Sequence, residues 1–242
     1  MVSNWASANR TAPEWLNGTL MARLTEEVGQ ELLSLASPRQ YPGGAVLVNQ
    51  GDPSTHVYLL ETSRPRYSAC VKVTATLKNG SESLLGIRVS GDLVGEIAAL
   101  RNGTRTATVT TCTPTVAHAI SRTMFLAFLR RHEDAWEATF QMMADRLDWA
   151  NCRRLEFTGY DVPVRLARVI LELLGRHGYQ QDGSHELGVQ LSQAEFGKLI
   201  GAKPDIVGQA MRQLRSTGLL RLHYRGATIT DLHALRAFAD PA

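Results

Sequence analysis

The strongest constraint on the fold is a change in sequence pattern near Ser121. From Pro38 to Ser121, short apolar runs alternate with Gly, Pro, Asn and Asp, which is typical of short strands joined by tight turns. Asn79-Gly80 lies between two such runs and is a strong hairpin signal. From Arg122 to Phe157 the apolar spacing becomes helical. The sequence therefore predicts an α+β protein in which a barrel or jelly roll precedes a long helix.

Four segments follow from this pattern. The N-terminal segment is polar and is predicted to be a flexible arm, whereas Trp15 to Ala36 has helical spacing and opens the jelly-roll domain. Gly159 and Pro163 break the long helix and predict a hinge before a smaller C-terminal domain. The arm, the jelly-roll domain, the long helix with its hinge, and the C-terminal domain are assigned to residues 1–14, 15–132, 133–160 and 161–242.

The long helix carries apolar residues in a regular seam. Their 4-3-4-3 spacing is that of a coiled-coil a/d pattern. One interpretation is that the helix packs on its own barrel, and the other is that it pairs with its copy in a homodimer. The regularity of the spacing favours the homodimer, and the seam consists of Trp136, Phe140, Met143, Leu147 and Ala150.

The C-terminal domain contains the most informative stretch of the chain, from Leu191 to Leu220. Ser192 and Glu195 have the spacing of a capping box at the start of a short helix. Gly201 opens a tight turn, and Pro204 stands where a second helix would begin. Two short helices joined in this way predict a helix-turn-helix, and the segment "LLRLHYRGATITD" predicts a hairpin that would make the domain winged.

The distribution of charge distinguishes this motif from an ordinary helical hairpin. The whole chain of 242 residues has a net charge of only +3. The segment from Lys203 to Arg225 nevertheless holds five Lys or Arg residues and a single acid, Asp205. Positive charge concentrated on the second helix and the wing is what a phosphate backbone requires, so the sequence predicts binding to double-stranded DNA.

A second candidate site lies in the stretch "GDLVGEIAALRNGTRTATVTT", Gly91 to Thr111. Gly95 allows a close approach of the backbone, Glu96 offers two acceptors, and Arg105 offers a planar set of donors that fits a phosphate. Together these residues indicate a small ligand with hydroxyls and a phosphate. The alternative is that Glu96 and Arg105 form an internal ion pair across a loop.

The order of these parts resembles the Crp-Fnr family, which includes the cyclic AMP receptor protein or catabolite activator. The resemblance rests on "YPGGAVLVNQGDPSTHVYLL", on "GDLVGEIAAL" followed by "RTATV", and on the helix-turn-helix stretch. It implies a cyclic-nucleotide-binding jelly roll, a long dimerisation helix and a winged helix-turn-helix. It also implies that Glu96 accepts from a ribose 2′-hydroxyl, that Arg105 pairs with the cyclic phosphate, and that the remaining ligand contacts come from Gly95, Ile97, Ala98 and Thr106.

Two groups of residues depart from the best-known members of that family. Ala150 and Asn151 stand where a hydroxyl pair contacts adenine across the dimer, and only Asn151 can donate and accept hydrogen bonds. Cyclic AMP is therefore the first expected ligand and cyclic GMP the second, and a cassette that no longer binds a nucleotide is the third alternative.

Pro204 replaces a base-reading arginine, which implies a different operator. The predicted DNA contacts are Ser192, Lys203, Asp205, Gln209, Arg212, Arg215 and Arg225.

Other classes of function find little support in the sequence. The three cysteines, Cys70, Cys112 and Cys152, show no CxxC spacing, which predicts a reducing compartment and neither a metal site nor a disulfide framework. No signal peptide or membrane span is predicted, so the expected location is the cytoplasm. No catalytic motif is present, and an enzyme acting on nucleotides is a remote alternative. The expected partners are a DNA operator, a second copy of the chain and, as a candidate, RNA polymerase.

Overall fold

The computed structural model describes residues 15–16, 18–62, 69–181, 184–189, 191–223 and 226–240. The predicted arm, residues 1–14, lies outside the described residues. Within the described part of the chain, no helix combines the length and the apolar character that crossing a membrane requires.

The N-terminal helical segment is shorter than the sequence predicts. A 3-10 turn over Met21–Arg23 is followed by α1, Glu26–Ser34. Leu24 is extended between them, and the hydroxyl of Thr25 caps α1 by accepting from the backbone N–H of Val28. The single helical run predicted from Trp15 to Ala36 is therefore wrong, because this cap starts a new helix.

Eight strands of the described residues then form two four-stranded antiparallel sheets, which confirms the predicted jelly roll. Side chains from both sheets, including Leu60, Val71 and Val109, pack into a buried core. The predicted hairpin joins the strands Cys70–Thr76 and Glu82–Val89, and Gly80 between them has a φ of +82°. The strands are β1 Pro38–Tyr41, β2 Val46–Val48, β3 His56–Thr62, β4 Cys70–Thr76, β5 Glu82–Val89, β6 Leu93–Val94, β7 Thr108–Thr111 and β8 Thr115–Ser121, in the orders β1-β8-β3-β6 and β2-β7-β4-β5. A short helix, α2 Glu96–Arg101, connects β6 to β7.

The helical region after the barrel has two parts where the sequence predicts one. Helix α3 spans Arg122–Arg131 and α4 spans Glu133–Gly159, because the backbone of His132 is extended. The His132 ring lies 4.8 Å from that of Phe128 and its Nε2 is 2.9 Å from Glu31, contacts that hold the break in place. The spacing of apolar residues in the sequence cannot predict these contacts.

One face of helix α4 packs on the barrel, and another face is exposed to solvent. Its small and buried face, which includes Ala135, Ala138 and Met142, packs on the barrel. The predicted seam faces largely outward, with Trp136, Phe140 and Leu147 51, 69 and 62 % exposed, and only its member Met143 is partly buried against the core. Packing of this seam on its own barrel is therefore wrong for its three largest exposed side chains.

The C-terminal domain is a winged helix-turn-helix, as predicted. The capping box of Ser192 and Glu195 is present, and the second helix of the motif begins at Pro204. Among the described residues of "HELGVQL", strand pairing is limited to His185 and Glu186, so the predicted strand is shorter than the segment. The elements are α5 Val162–His177, β9 Tyr179–Gln181, β10 Ser184–Glu186, α6 Gln193–Ile200, α7 Pro204–Ser216, β11 Leu220–His223, β12 Gly226–Ile229 and α8 Leu232–Ala239, with sheet order β11-β12-β10-β9.

The two domains meet where α6 packs against the barrel. Lys72 of β4 lies 2.9 Å from Glu195, and Lys198 of α6 pairs with Glu82 at the start of β5. Burial opposes ionisation of Glu195, but hydrogen bonds from Ser192 and Lys72 outweigh it and lower the pKa of Glu195 to about 2. The first helix of the helix-turn-helix is therefore held on the barrel by charged as well as apolar contacts.

His118 is a buried titratable group in the barrel. Its Nδ1 lies 2.8 Å from the carbonyl oxygen of Ala36 and its Nε2 lies 3.0 Å from Glu61. Burial disfavours the charged ring, but the hydrogen bonds to Glu61 and Ala36 outweigh this and raise the pKa of His118. A raised folded-state pKa gives stability that is fully present below the unfolded value of about 6.5 and is lost as pH rises through the folded pKa.

We therefore expect His118→Gln to lower the free energy of unfolding more at about pH 5.5 than at about pH 8.5. Urea unfolding of both proteins at the two pH values measures the difference. His233→Gln is the control, because this histidine is exposed on α8. An equal loss of stability at both pH values would contradict the charged pairing of His118.

Candidate ligand pocket and DNA-binding surface

The predicted ligand cassette begins at Gly95, between β6 and α2. Its φ is +85°, a conformation that favours glycine. A Cβ at this position would clash with Nη1 of Arg105, which donates to the Gly95 carbonyl oxygen over 2.9 Å. Glycine is therefore required both for the backbone conformation and for the approach of the arginine.

The side chain of Arg105 is held by backbone carbonyl oxygen atoms. Its side chain donates to the carbonyls of Gly95 and His56, its own N–H donates to the carbonyl of Asp52 over 2.9 Å, and the residue is only 6 % exposed. Burial lowers the pKa of Arg105, against the opposing influence of Tyr58, Glu96 and Asp52. The guanidinium is a buried cation whose orientation is fixed by the barrel.

Glu96 pairs with a residue that the sequence did not single out. Its carboxylate accepts from Nη1 of Arg146, which belongs to the long helix α4. Nη2 of the same arginine lies 3.1 Å from Asp92 and 3.0 Å from the carbonyl oxygen of Leu93. Among the described residues, Glu96 forms its ion pair with Arg146 and not with Arg105. The Glu96–Arg105 ion pair that the sequence offered as an alternative is therefore wrong.

Glu96, Arg105 and Arg146 line a cavity of about 70 Å³. Four valines and Leu93 of the barrel form most of its apolar wall. The charged residues in its lining are Arg88, Arg105, Arg146 and Glu96, three cations against one carboxylate. Such a lining favours an anion that also offers hydroxyl groups to the glutamate. The complete lining is Val48, Val73, Arg88, Leu93, Val94, Gly95, Glu96, Ile97, Ala98, Arg105, Thr106, Ala107, Val109 and Arg146.

Most of the predicted ligand residues meet in this cavity. Six of the seven belong to its lining, with Ile97 and Thr106 at its exposed side. Asn151 does not line it and is exposed on α4. Arg88 and Arg146 were missed by sequence reasoning, since an arginine on a strand or on a helix beside an apolar seam is ordinary, and only the fold brings these two to the cassette.

The second surface is formed by α7. Val207, Ala210 and Leu214 are buried against the rest of the winged helix, which leaves the opposite side of the helix to solvent. Gly201, with a φ of +65°, ends α6, and the N–H of Ala202 returns to the carbonyl of Gly197 over 2.9 Å. This tight turn presents α7 as the outward helix of the motif.

Five of the seven predicted DNA contacts are exposed on α7 or at its N-cap. Ser192 is half-buried, and its hydroxyl already donates to Glu195 over 2.8 Å. Arg225 lies outside the described residues. Ile206 was missed, although it is 40 % exposed near the start of α7 and an apolar side chain there suits the methyl group of thymine. The exposed predicted contacts are Lys203, Asp205, Gln209, Arg212 and Arg215.

A barrel whose cavity is lined by three arginines and one glutamate, a long helix that contributes Arg146 to that lining, and a winged helix-turn-helix are the parts of a DNA-binding regulator. Residues 38–132 match the family described as the cyclic nucleotide-binding domain, and residues 164–238 match the Crp-like helix-turn-helix domain. The chain belongs to the Crp-Fnr family of transcription regulators. Its relatives are DNA-binding regulators and not enzymes, as the sequence predicted.

Similar proteins include regulators that respond to cyclic AMP. The chain is 27 % identical over 198 residues to the CRP-like cAMP-activated global transcriptional regulator of Mycobacterium tuberculosis (strain CDC 1551 / Oshkosh), a match that covers 82 % of this chain and 86 % of that protein. It is also 27 % identical over 190 residues to the cyclic AMP receptor protein of Thermus thermophilus, covering 78 % of this chain and 82 % of the relative.

Two solved structures show the same fold at lower identity. FixK2 from Bradyrhizobium japonicum superposes with a TM-score of 0.71 at 19 % identity, covering 86 % of this chain and 98 % of FixK2. The c-di-GMP responsive regulator CLP of Xanthomonas campestris superposes with a TM-score of 0.68 at 20 % identity, covering 86 % of this chain and all of CLP.

Proposed function

We propose that this protein is a homodimeric, cytoplasmic regulator whose operator binding is controlled by a cyclic nucleotide, with cyclic AMP as the first candidate and cyclic GMP as the second. The observation that carries the proposal is the buried Arg105 guanidinium beside Glu96 in a cavity with two further arginines. A cyclic nucleotide offers the matching groups, because its phosphate suits the arginines and its ribose hydroxyl suits the carboxylate.

The contact between Arg146 and Glu96 suggests how the ligand would act. Arg146 lies on α4, whereas Glu96 and Asp92 lie in the barrel, so this ion pair joins the long helix to the cassette. A nucleotide that offers its ribose hydroxyl to Glu96 competes with Arg146 for that carboxylate, while its phosphate pairs with Arg105. By binding one arrangement of α4 more tightly, it would shift the population of α4 arrangements that reach the hinge and the winged helix.

A regulator that works without a ligand is the second candidate. It is favoured by the same ion pair, because Arg146 already satisfies Glu96 from within the chain. The cavity of about 70 Å³ is also small. In this alternative the barrel is a scaffold and α4 is permanently attached to the cassette.

Operator binding with and without nucleotide separates the two candidates. Sites are first selected from genomic DNA fragments with the purified protein, and their affinity is then measured alone and with cyclic AMP, cyclic GMP or c-di-GMP. The proposal expects a change of affinity of about 5–150-fold with cyclic AMP or cyclic GMP, the usual range of allosteric coupling. Equal affinity in all four conditions would favour the ligand-independent regulator.

Charge and base contacts of α7 are expected to behave differently. Arg215→Ala should weaken binding about equally on all sequences and flatten its salt dependence, because an arginine near the end of α7 suits a phosphate contact. Arg225→Ala should do the same, because it belongs to the same basic segment of the sequence. Gln209→Ala should instead relax the preference at one base pair and cost about 1–3 kcal/mol on the correct operator.

Titrations at several salt concentrations on matched and mismatched operators measure both effects. Arg236→Ala is the control, because this arginine is exposed on α8, outside the helix-turn-helix. If Gln209→Ala acts uniformly while Arg215→Ala changes the base preference, α7 docks on DNA differently from this proposal.

A further inference from the structure

Two of the three cysteines face each other across neighbouring strands of the barrel. Strands β4 and β7 pair with Val71 opposite Thr111, which places Cys70 opposite Cys112 in the continued register. The N–H of Cys112 donates to the carbonyl of Cys70 over 2.7 Å. Residues directly opposite each other on antiparallel strands have Cα atoms about 4.5–5.5 Å apart, within the range of about 4.4–6.8 Å that a disulfide spans.

The two thiols differ in access and share one neighbouring cation. Cys70 is 1 % exposed, whereas Cys112 is half-buried. The hydrogen bond with Cys112, together with burial, raises the pKa of the Cys70 thiol. The Lys72 ammonium acts electrostatically on both sulfur atoms, and such a cation favours a thiolate. Cys112 is therefore the accessible nucleophile and Cys70 the sulfur that can complete a disulfide.

We propose that Cys70 and Cys112 form a reversible intrachain disulfide when the reduced protein meets a peroxide. The Cys112 thiolate attacks one oxygen of hydrogen peroxide, the O–O bond breaks, and the departing hydroxide takes up the proton that the thiol released, giving water and a sulfenic acid. The sulfur of Cys70 then attacks the sulfenic sulfur, the S–O bond breaks, and the hydroxyl leaves with the Cys70 proton as a second water. Two thiols lose two electrons and one peroxide gains them.

The pair lies where the barrel contacts α6 of the C-terminal domain. Cys70 shares a buried cluster with Leu84 and Ile87 of the barrel and with Phe196 of α6, and Cys112 packs against the same cluster. Lys72, beside both sulfur atoms, is the residue that holds Glu195 of α6. The disulfide would thus form at the contact between the barrel and the DNA-binding domain, and neither cysteine lines the nucleotide cavity. Disulfides of reducing compartments are typically of this transient kind.

The test uses the full chain carrying Cys152→Ser, because Cys152 is exposed on α4 and could cross-link two chains. The reduced protein is treated with hydrogen peroxide under native conditions, alkylated, and analysed by intact mass and peptide mapping. We expect both thiols to be lost together in a Cys70–Cys112 disulfide, at a rate independent of protein concentration, and dithiothreitol to restore them.

Single variants of the pair test the order of the steps. With Cys70→Ser, a sulfenic acid should accumulate on Cys112 and be trapped by dimedone, whereas Cys112→Ser should leave Cys70 as a thiol. The thiol count of the parent protein does not depend on how these variants fold. Retention of both thiols, oxidation to sulfinic acid without a disulfide, or a disulfide that forms only in urea would each overturn the proposal.

Discussion

Replacing Phe140 and Leu147 together with glutamate is expected to convert the protein into a monomer that binds its operator about a hundredfold more weakly, or worse. Both side chains are more than 60 % exposed on α4, beside the similarly exposed Trp136. In a paired α4 they would be buried, and an unpaired carboxylate is costly to bury. A monomer would contact one half-site, whereas a dimer contacts two half-sites about one helical turn apart.

Equilibrium sedimentation and operator titration of the wild type and the double variant measure the two effects. The matched control is Leu77→Glu with Leu85→Glu, which adds the same charge at two exposed leucines of the barrel, 58 and 44 % exposed. The control is expected to remain dimeric. A wild type that sediments as a monomer at micromolar concentration would contradict the dimer and leave the exposed seam without this explanation.

The seam was predictable because its information is local. An a/d spacing reports which residues share one side of a helix, whatever that side contacts. The same holds for the capping box of Ser192 and Glu195, whose two members are three residues apart. What the spacing could not decide was whether the seam faces the barrel or the solvent, because that depends on which other face of α4 the barrel covers.

The contacts that join distant parts of the chain were not predictable in this way. Arg146 meets Glu96 across 50 positions, and Lys72 meets Glu195 across 123. A long charged side chain has no periodicity that marks its partner, and most such residues are solvated. The register of Cys70 and Cys112 likewise depends on how β4 and β7 pair, and a shift of one residue would separate them.

The candidate pocket contains residues that the sequence predicts and residues that it does not. Gly95, Glu96 and Arg105 were expected from a short stretch, since a tight turn, an acceptor and a planar donor within eleven residues suggest one ligand. Arg88 and Arg146, which line the same cavity, come from a strand before it and a helix after it. The structure therefore brings the predicted cassette residues together in one cavity and adds a contact between the cassette and α4 that the sequence did not show.

Loss of Arg105 is expected to weaken cyclic-nucleotide binding by about ten- to a hundredfold, because a charge-assisted contact to phosphate contributes roughly 1.5–3 kcal/mol. Arg105→Lys should recover only part of this, since an ammonium cannot reproduce the planar donors of a guanidinium. Glu96→Gln should weaken binding as well, through the lost charge at the ribose acceptor.

Arg146→Ala is expected to differ from Arg105→Ala in the free protein. It removes the partner of Glu96, which is 3 % exposed, and leaves an unpaired buried carboxylate. Breaking a buried ion pair from one side typically costs about 3–5 kcal/mol, so the melting temperature should fall even without ligand. Arg101→Ala is the control for both variants, because this arginine lies exposed at the end of α2.

Thermal melting of each protein, alone and with millimolar cyclic AMP or cyclic GMP, separates these effects. A ligand that binds only the folded state raises the melting temperature in proportion to the logarithm of its concentration over its Kd. The wild type and Arg101→Ala should show this rise, and Arg105→Ala and Glu96→Gln should largely lack it. If neither nucleotide raises the melting temperature of the wild type, control by these ligands is wrong. The DNA-binding surface of α7 is unaffected by that result, because its exposed residues are arranged independently of the cavity.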